Sequence, residues 1–316
     1  MSTQKLKNWC KTTAGIALVL SGFSSYAAEP QQCKKVTLSD PGWSDIGATN
    51  GVVTTLLEGL GYQTEVYLLG VPVGFKSLKS GEVDVFMGNW MPAQKNYAEK
   101  YQQDIDIIRT NLSGVKFTLA VPNYVYDAGV HDFKDLNRFA DQFRSRIYGI
   151  SAGSPANDNI KKMIETNDFG LKDWRIVESG EQAMLSEVNR AFRRNQFIVF
   201  LGWEPHPMNV NFDIRYLSGG DKYFGPDYGS ATIRTVTRTG YSQECSNVGK
   251  LLSNLSFTVG MENELINQTN KDGIKPKQAA RDWIRQHPET LNQWLKGVTT
   301  FSGKDALPAM KQALKI

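Results

Sequence analysis

Cysteine and histidine are scarce in this 316-residue chain, with three of each. The histidines, His131, His206 and His287, are scattered, with no helical pair and no His-Glu-x-x-His spacing, which argues against a metal site. No glycine-rich phosphate loop ending in Lys and Ser or Thr occurs, so any nucleotide hydrolysis belongs to a separate subunit, and no cofactor is implied. No stretch approaches the roughly 18 consecutive apolar residues of a membrane-spanning helix. Neither charge sign dominates. The formal charge is +4, and the first 27 residues hold three Lys (Lys5, Lys7, Lys11) and no acidic residue, so the remainder carries +1. That balance points to neither nucleic acid nor an anionic membrane as partner.

The amino-terminal segment sets the expected compartment. The three Lys precede a short apolar run over residues 14–23, followed by Ser25-Tyr26-Ala27, the small residues a signal peptidase reads. Residues 1–27 are therefore expected to be a signal peptide cleaved near Ala27, and the mature protein periplasmic. Leu20-Ser21-Gly22 is followed by Phe23, not Cys, so no direct membrane anchor is expected. Only Cys33 and Cys245 lie beyond that segment, and in an oxidising compartment such a pair reads as one disulfide.

The remaining chain is too long for one comfortable core and suits two α/β lobes. Strand-like runs fall at residues 34–38 (KKVTL), 63–69 (QTEVYLL), 83–87 (VDVFM), 116–121 (KFTLAV), 146–150 (RIYGI), 175–178, 197–201 (FIVFL), 213–217 and 231–238. Helical patterns separate many of them, at 49–60, 73–79, after Ser154-Pro155, and at 181–194, and more helices close the chain. Such alternation predicts mainly parallel sheets flanked by helices. Hinge crossings near Gly114 and Phe212 would give a discontinuous first lobe, 28–113 and 212–316, and a second lobe, 114–211. A bridge between Cys33 and Cys245 would tie together the two parts of that first lobe.

The aromatic residues carry the functional reading. Trp43 follows the first strand through Asp40-Pro41-Gly42. Trp90 and Trp203 belong to matching phrases, VFMGNWMP and VFLGWEP, each read as a buried strand, a Gly turn, an aromatic residue and a Pro. Ligand crevices of α/β sheets lie beyond the carboxyl ends of strands, so these indoles are placed at a cleft, with both lobes contributing. Trp283 and Trp294, eleven apart on helical segments, read as core packing, as does Trp174. Any one of the three cleft indoles alone would also be read as core; three at equivalent strand ends are harder to dismiss. A quaternary ammonium has no N–H to donate, and its diffuse charge suits the negative faces of aromatic rings. A sugar cleft would also stack indoles, but with more Asn, Asp and Arg around them.

Asp40-Pro41-Gly42-Trp43-Ser44-Asp45, Gly88-Asn89-Trp90-Met91-Pro92-Ala93-Gln94, Gly202-Trp203-Glu204-Pro205-His206-Pro207-Met208 and the late Gly297-Val298-Thr299-Thr300 resemble the choline/glycine-betaine periplasmic binding proteins of ABC importers, most of all their choline-binding branch. The resemblance runs over essentially the whole chain beyond residue 27. It implies the two-lobed periplasmic binding protein fold of type II, with two hinge crossings, closing on ligand between the lobes. It implies an aromatic box at Trp43, Trp90, Phe117 and Trp203, with Asp45 and Asn157 at the ligand's polar end. Ser154 is the alternative to Asn157. Phe117 stands where that branch has Tyr, so a phenol hydroxyl is missing while the ring face remains. The implied partners are choline or a related quaternary ammonium and the importer's permease subunits, and the protein is expected to be a monomer.

Two alternatives remain at this level. One is a receptor for glycine betaine, carnitine or trimethylamine N-oxide. The other is a secreted choline-ester hydrolase, because Gly149-Ile150-Ser151-Ala152-Gly153 matches G-x-S-x-G after a strand. A nucleophile elbow turns into its helix at the Ser, whereas here the helix signal starts three residues later at Ser154-Pro155, so a carrier rather than an enzyme is expected. His206 is read as fixing the loop after Trp203.

Overall fold

The structure, a computed structural model, describes residues 29–316; the expected signal segment lies outside the described residues. Among the described residues nine strands form one continuous sheet: β1 (Lys35–Asp40), β2 (Gln63–Leu68), β3 (Val85–Met91), β4 (Ile105–Pro122), β5 (Arg146–Tyr148), β6 (Arg175–Val177), β7 (Phe200–Glu204), β8 (Ile214–Tyr216) and β9 (Ser230–Arg238). Their order is β2-β1-β3-β9-β4-β7-β5-β6, with β8 beside the end of β4. The helices that matter for the site are α1 (Ser44–Gly59), α2 (Val71–Ser80), α3 (Pro155–Glu165), α4 (Glu181–Arg193), α5 (Val259–Asp272) and α6 (Pro276–Gln286).

The two ends of this sheet are the two lobes. At one end β1 pairs in parallel with β2 and β3, through crossovers that run along α1 and α2. At the other, β5 pairs in parallel with β6 and β7, through α3 and α4. The middle is antiparallel: β9 pairs with β3 and β4, and β4 with β7 and β8. A mainly parallel sheet was expected; the sheet is mixed, because β4 and β9 cross between lobes in opposite directions. β4 has eighteen residues, far more than the 116–121 run suggests, and its first part alternates poorly where bulges interrupt the register with β9.

β4 changes partners at Lys116, from β9 to β7, two residues after Gly114. Beyond Phe212, β8 pairs with Ala120–Pro122 of β4, and Asn159 of α3 donates to the Tyr223 carbonyl at 2.7 Å, before the chain enters β9. A three-residue strand at 214–216 carries no sequence signal of which lobe it joins.

Cys33 and Cys245 form a disulfide across 212 residues, fastening the start of β1 to the segment after β9. The buried faces of α1 (Val52, Val53, Leu56, Leu57), β1 and β3 make the first lobe's core, and Ile147, Ile160, Val188 and Leu201 lie in the second's. Trp283 and Trp294 stack on each other 6.2 Å apart in the first lobe, and Trp174 packs on Phe143. No helix of the described residues is long and apolar enough to cross a membrane.

Candidate functional site

The matching phrases around Trp90 and Trp203 do not form strand, turn and aromatic in sequence. Gly88 and Gly202 both lie within strands, and each Trp is itself a strand residue. Gly202 serves close packing: a Cβ there would stand 2.9 Å from the Tyr216 ring and 3.0 Å from Ala120. Trp203 of β7 sits directly across from Phe117 of β4, and Trp90 of β3 across from Ile233 of β9. Trp43 is the N-cap of α1, which begins at Ser44, five residues before its predicted start. The strand–helix junction after β1 thus delivers Trp43 and Asp45 together.

These elements surround a cavity whose non-atom space, open mouth included, is about 410 Å³. Its walls are Trp43, Asp45, Trp90, Ala93 and Gln94 from the first lobe, with Phe117, Ile150, Ser154, Pro155, Ala156 and Trp203 from the second. The Trp90 and Phe117 ring centroids are 6.2 Å apart and tilted by 53°, so the rings form adjoining walls instead of a stack. Phe224 supports Phe117 edge-on at 5.3 Å. The segment before β9 passes against the Phe117 backbone at Gly229, where φ is +75° and a Cβ would overlap the Phe117 carbonyl, so only glycine lets it pass.

Of the residues named from sequence, Trp43, Asp45, Trp90, Phe117 and Trp203 meet at this cavity. Asn157 does not line it. Its side chain is fully buried; Oδ1 accepts from Ile150 N, and Nδ2 donates to the carbonyls of Ile150 and Ser151 and to Glu178. With its hydrogen-bonding capacity taken up, Asn157 shapes the turn that presents Ile150. Ser154 is the wall residue, and its hydroxyl also accepts from Asn157 N as the cap of α3. The one-turn spacing between Ser154 and Asn157 left this choice open in the sequence.

The segment with the G-x-S-x-G pattern is this same turn; α3 starts at Pro155. Gln94, Ala93, Ile150, Pro155 and Ala156 were not named as site residues. Ala93 and Gln94 were visible in the phrase after Trp90; nothing in the sequence marked Ile150.

Asp45 is the one carboxylate at the wall. It is 1 % exposed; Oδ2 accepts from Trp90 Nε1 at 2.9 Å, which orients the indole, and Oδ1 has no protein partner. Burial pushes its pKa up to about 7, the nearby charge of Glu181 adds to this, and the Trp90 bond opposes it. Behind it lies Glu262 of α5, also 1 % exposed, accepting from Thr49 Oγ1 at 3.1 Å. Burial and the Asp45 charge hold Glu262 well above the carboxylate range. Glu181 behaves oppositely: burial would raise it, but bonds from His206 and Ser44 bring it below its ordinary value. His206, as read from sequence, fixes the loop: Nδ1 accepts from Met208 N at 2.9 Å, and the ring lies edge-on to Trp203.

The fold and this interlobe aromatic cavity define a two-lobed solute-binding protein of the type that serves ABC importers. Residues 34–286 match the family described as the substrate binding domain of ABC-type glycine betaine transport systems (OpuAC), and the chain belongs to that family. An ABC-transporter choline binding protein, solved in complex with choline, is 48 % identical, with a TM-score of 0.89 over 90 % of this chain and 100 % of its own. Lactococcal OpuAC, solved closed with glycine betaine, is 28 % identical, with a TM-score of 0.76 over 83 % of this chain and 99 % of its own. The glycine betaine/carnitine transport binding protein GbuC of Listeria monocytogenes is 28 % identical over 54 % of this chain and 55 % of its own length.

Proposed function

We propose that this protein captures choline, or a close quaternary ammonium, in the cage of Trp43, Asp45, Trp90, Phe117 and Trp203, and delivers it unchanged to the permease subunits of an ABC importer. On this reading the protein works as a monomer in the periplasm after residues 1–27 are removed, with residues 116–229 as its second lobe. The observation that carries it is the convergence, from both lobes, of four aromatic rings on one cavity whose carboxylate keeps an unpartnered oxygen. The rings suit the trimethylammonium head, each desolvated contact contributing about 2 kcal/mol. Asp45 suits the hydroxyl, accepting its hydrogen bond and attracting the cation. The likeness to the choline complex supports the same choice.

A second reading, glycine betaine, is favoured by the amino end of α3 at the cavity wall, which attracts an anion, and by the betaine complex of the lactococcal relative. Calorimetric titration with choline, acetylcholine, glycine betaine, carnitine and trimethylamine N-oxide tests both. Choline is expected to bind tightest, and acetylcholine to be recovered intact. Tighter betaine binding would move the assignment, and acid released with turnover would overturn the carrier role.

A further inference from the structure

Helix α1 begins without a cap of its own. Trp43 at its N-cap has no side-chain bond to the helix, although helix starts leave backbone N–H groups without partners. The missing acceptor comes from the other lobe. Ser44 N donates to Glu181 Oε2 at 3.0 Å, and Ser44 Oγ donates to Glu181 Oε1. Glu181 is the first residue of α4 and is 4 % exposed. On its own lobe it is held by His206 Nε2, 3.1 Å from Oε1. Because His206 Nδ1 accepts from Met208 N, a neutral ring carries its proton on Nε2, aimed at the carboxylate. Asn270 of α5 closes the arrangement from the first lobe, its Nδ2 donating to Ser44 Oγ at 3.1 Å.

We propose that Glu181 is a positioning residue for ligand capture: a helix cap supplied across the cleft, which latches the closed state and sets Trp43 and Asp45 into the cage. This rests on the capture role proposed above. Glu181 does not line the cavity, so it acts through α1. Trp43 and Asp45 flank the capped residue, and their placement follows the first turn of that helix. In the closed state the carboxylate gains charge-assisted bonds and the attraction of a helix amino end, which offset its desolvation. Opening returns Ser44 and Glu181 to water and leaves the first turn of α1 uncapped.

Two variants test this. Glu181→Gln removes the charge. Ser44→Pro removes both donors, while Pro suits the first position of a helix and leaves α1 its start, so the test survives if the buried Gln variant folds poorly. Stopped-flow tryptophan fluorescence with choline should show release faster by roughly tenfold in each, as for loss of a helix cap, with association within about twofold of the parent. X-ray scattering should show both more open than the parent, with and without ligand. Glu187→Gln, on the same helix, should match the parent in both measurements. Folded variants with parental release and parental scattering would overturn the latch. A parent that gives no choline signal would instead sink the capture role, and the ligand-free scattering comparison would still decide the latch.

Discussion

Trp90 joins the two kinds of recognition the cage offers, since its ring faces the cavity and its Nε1–H holds the Asp45 carboxylate. Replacing Trp90 or Trp203 by Ala should weaken choline binding by about 2 kcal/mol or more each, and Phe at either position should do less harm. Trp283→Ala should mainly lower stability, because that ring packs on Trp294 away from the cavity. Calorimetry of folded variants checks this; unchanged affinity in both cage variants would refute the cage. For Asp45 the prediction concerns pH. Its folded pKa of about 7 lies above the unfolded value of 3.8, so the folded state holds the proton more tightly. The stability this contributes is fully present below the unfolded value and is lost as pH rises towards about 7. Choline works the other way, since a cation favours the ionised form. Affinity should therefore rise with pH, by up to about tenfold per unit below pH 7, and level off above it. Betaine, with a carboxylate at the same end, should lose ground over the same range. Asp45→Asn should flatten the choline profile and narrow the gap to betaine; titrations at about pH 5.5 and about pH 8.5 decide it. A parent with a flat profile would remove Asp45 from the ligand.

At the scale of elements, the turn before α3 owes its shape to one buried amide. Asn157 reaches back to both polar groups of Ile150 and to Ser151, and Ile150 and Ser154 are cavity walls. Asn157→Ala would leave a buried N–H and two carbonyls with fewer partners. It should cost about 1–3 kcal/mol of stability, by the usual penalty for such groups. Choline affinity should fall as well, although Asn157 does not face the cavity. Denaturant unfolding followed by titration separates the two effects. Parental stability in the variant would contradict the role assigned to this amide. Asn157→Asp would retain one acceptor but put a charge beside Glu178, so it should be no milder.

For the whole molecule, the disulfide and the cage belong to different parts of the problem. Cys33 and Cys245 join the start of β1 to the segment after β9, and neither lines the cavity. Replacing both by Ser should cost about 2–5 kcal/mol of unfolding free energy, the usual range for a native bridge. Choline affinity should stay at the parental value in the folded variant. A variant as stable as the parent, or one with a weakened site, would show that this separation is wrong. The cavity belongs to the same scale, because its walls come from strands and helices more than a hundred residues apart in the chain.

Chemistry that resides in residue type was legible without a structure. The three indoles could be named from their strand-end settings, because few side chains suit a cation that cannot donate a hydrogen bond, whereas Phe117 and Asp45 were named only through the family resemblance. The single cysteine pair beyond residue 27, the α/β alternation and most strands were legible too, since hydrophobic period and thiol number are local facts. Relations between distant segments were decided only by the tertiary structure. Whether Ser154 or Asn157 reaches the cavity depends on how one helical turn is rotated, and Asn157 was taken up by Ile150. The mixed sheet followed from the directions in which β4 and β9 cross, and the membership of β8 from pairing at Ala120–Pro122, neither of which is written in a strand's own residues. The cap on α1 was least visible of all. Trp43 looks like a poor start for a helix, and the carboxylate that answers Ser44 comes from Glu181, 137 residues later. A helix's unmet donors are local, but the group that meets them is set by how distant segments pack against each other.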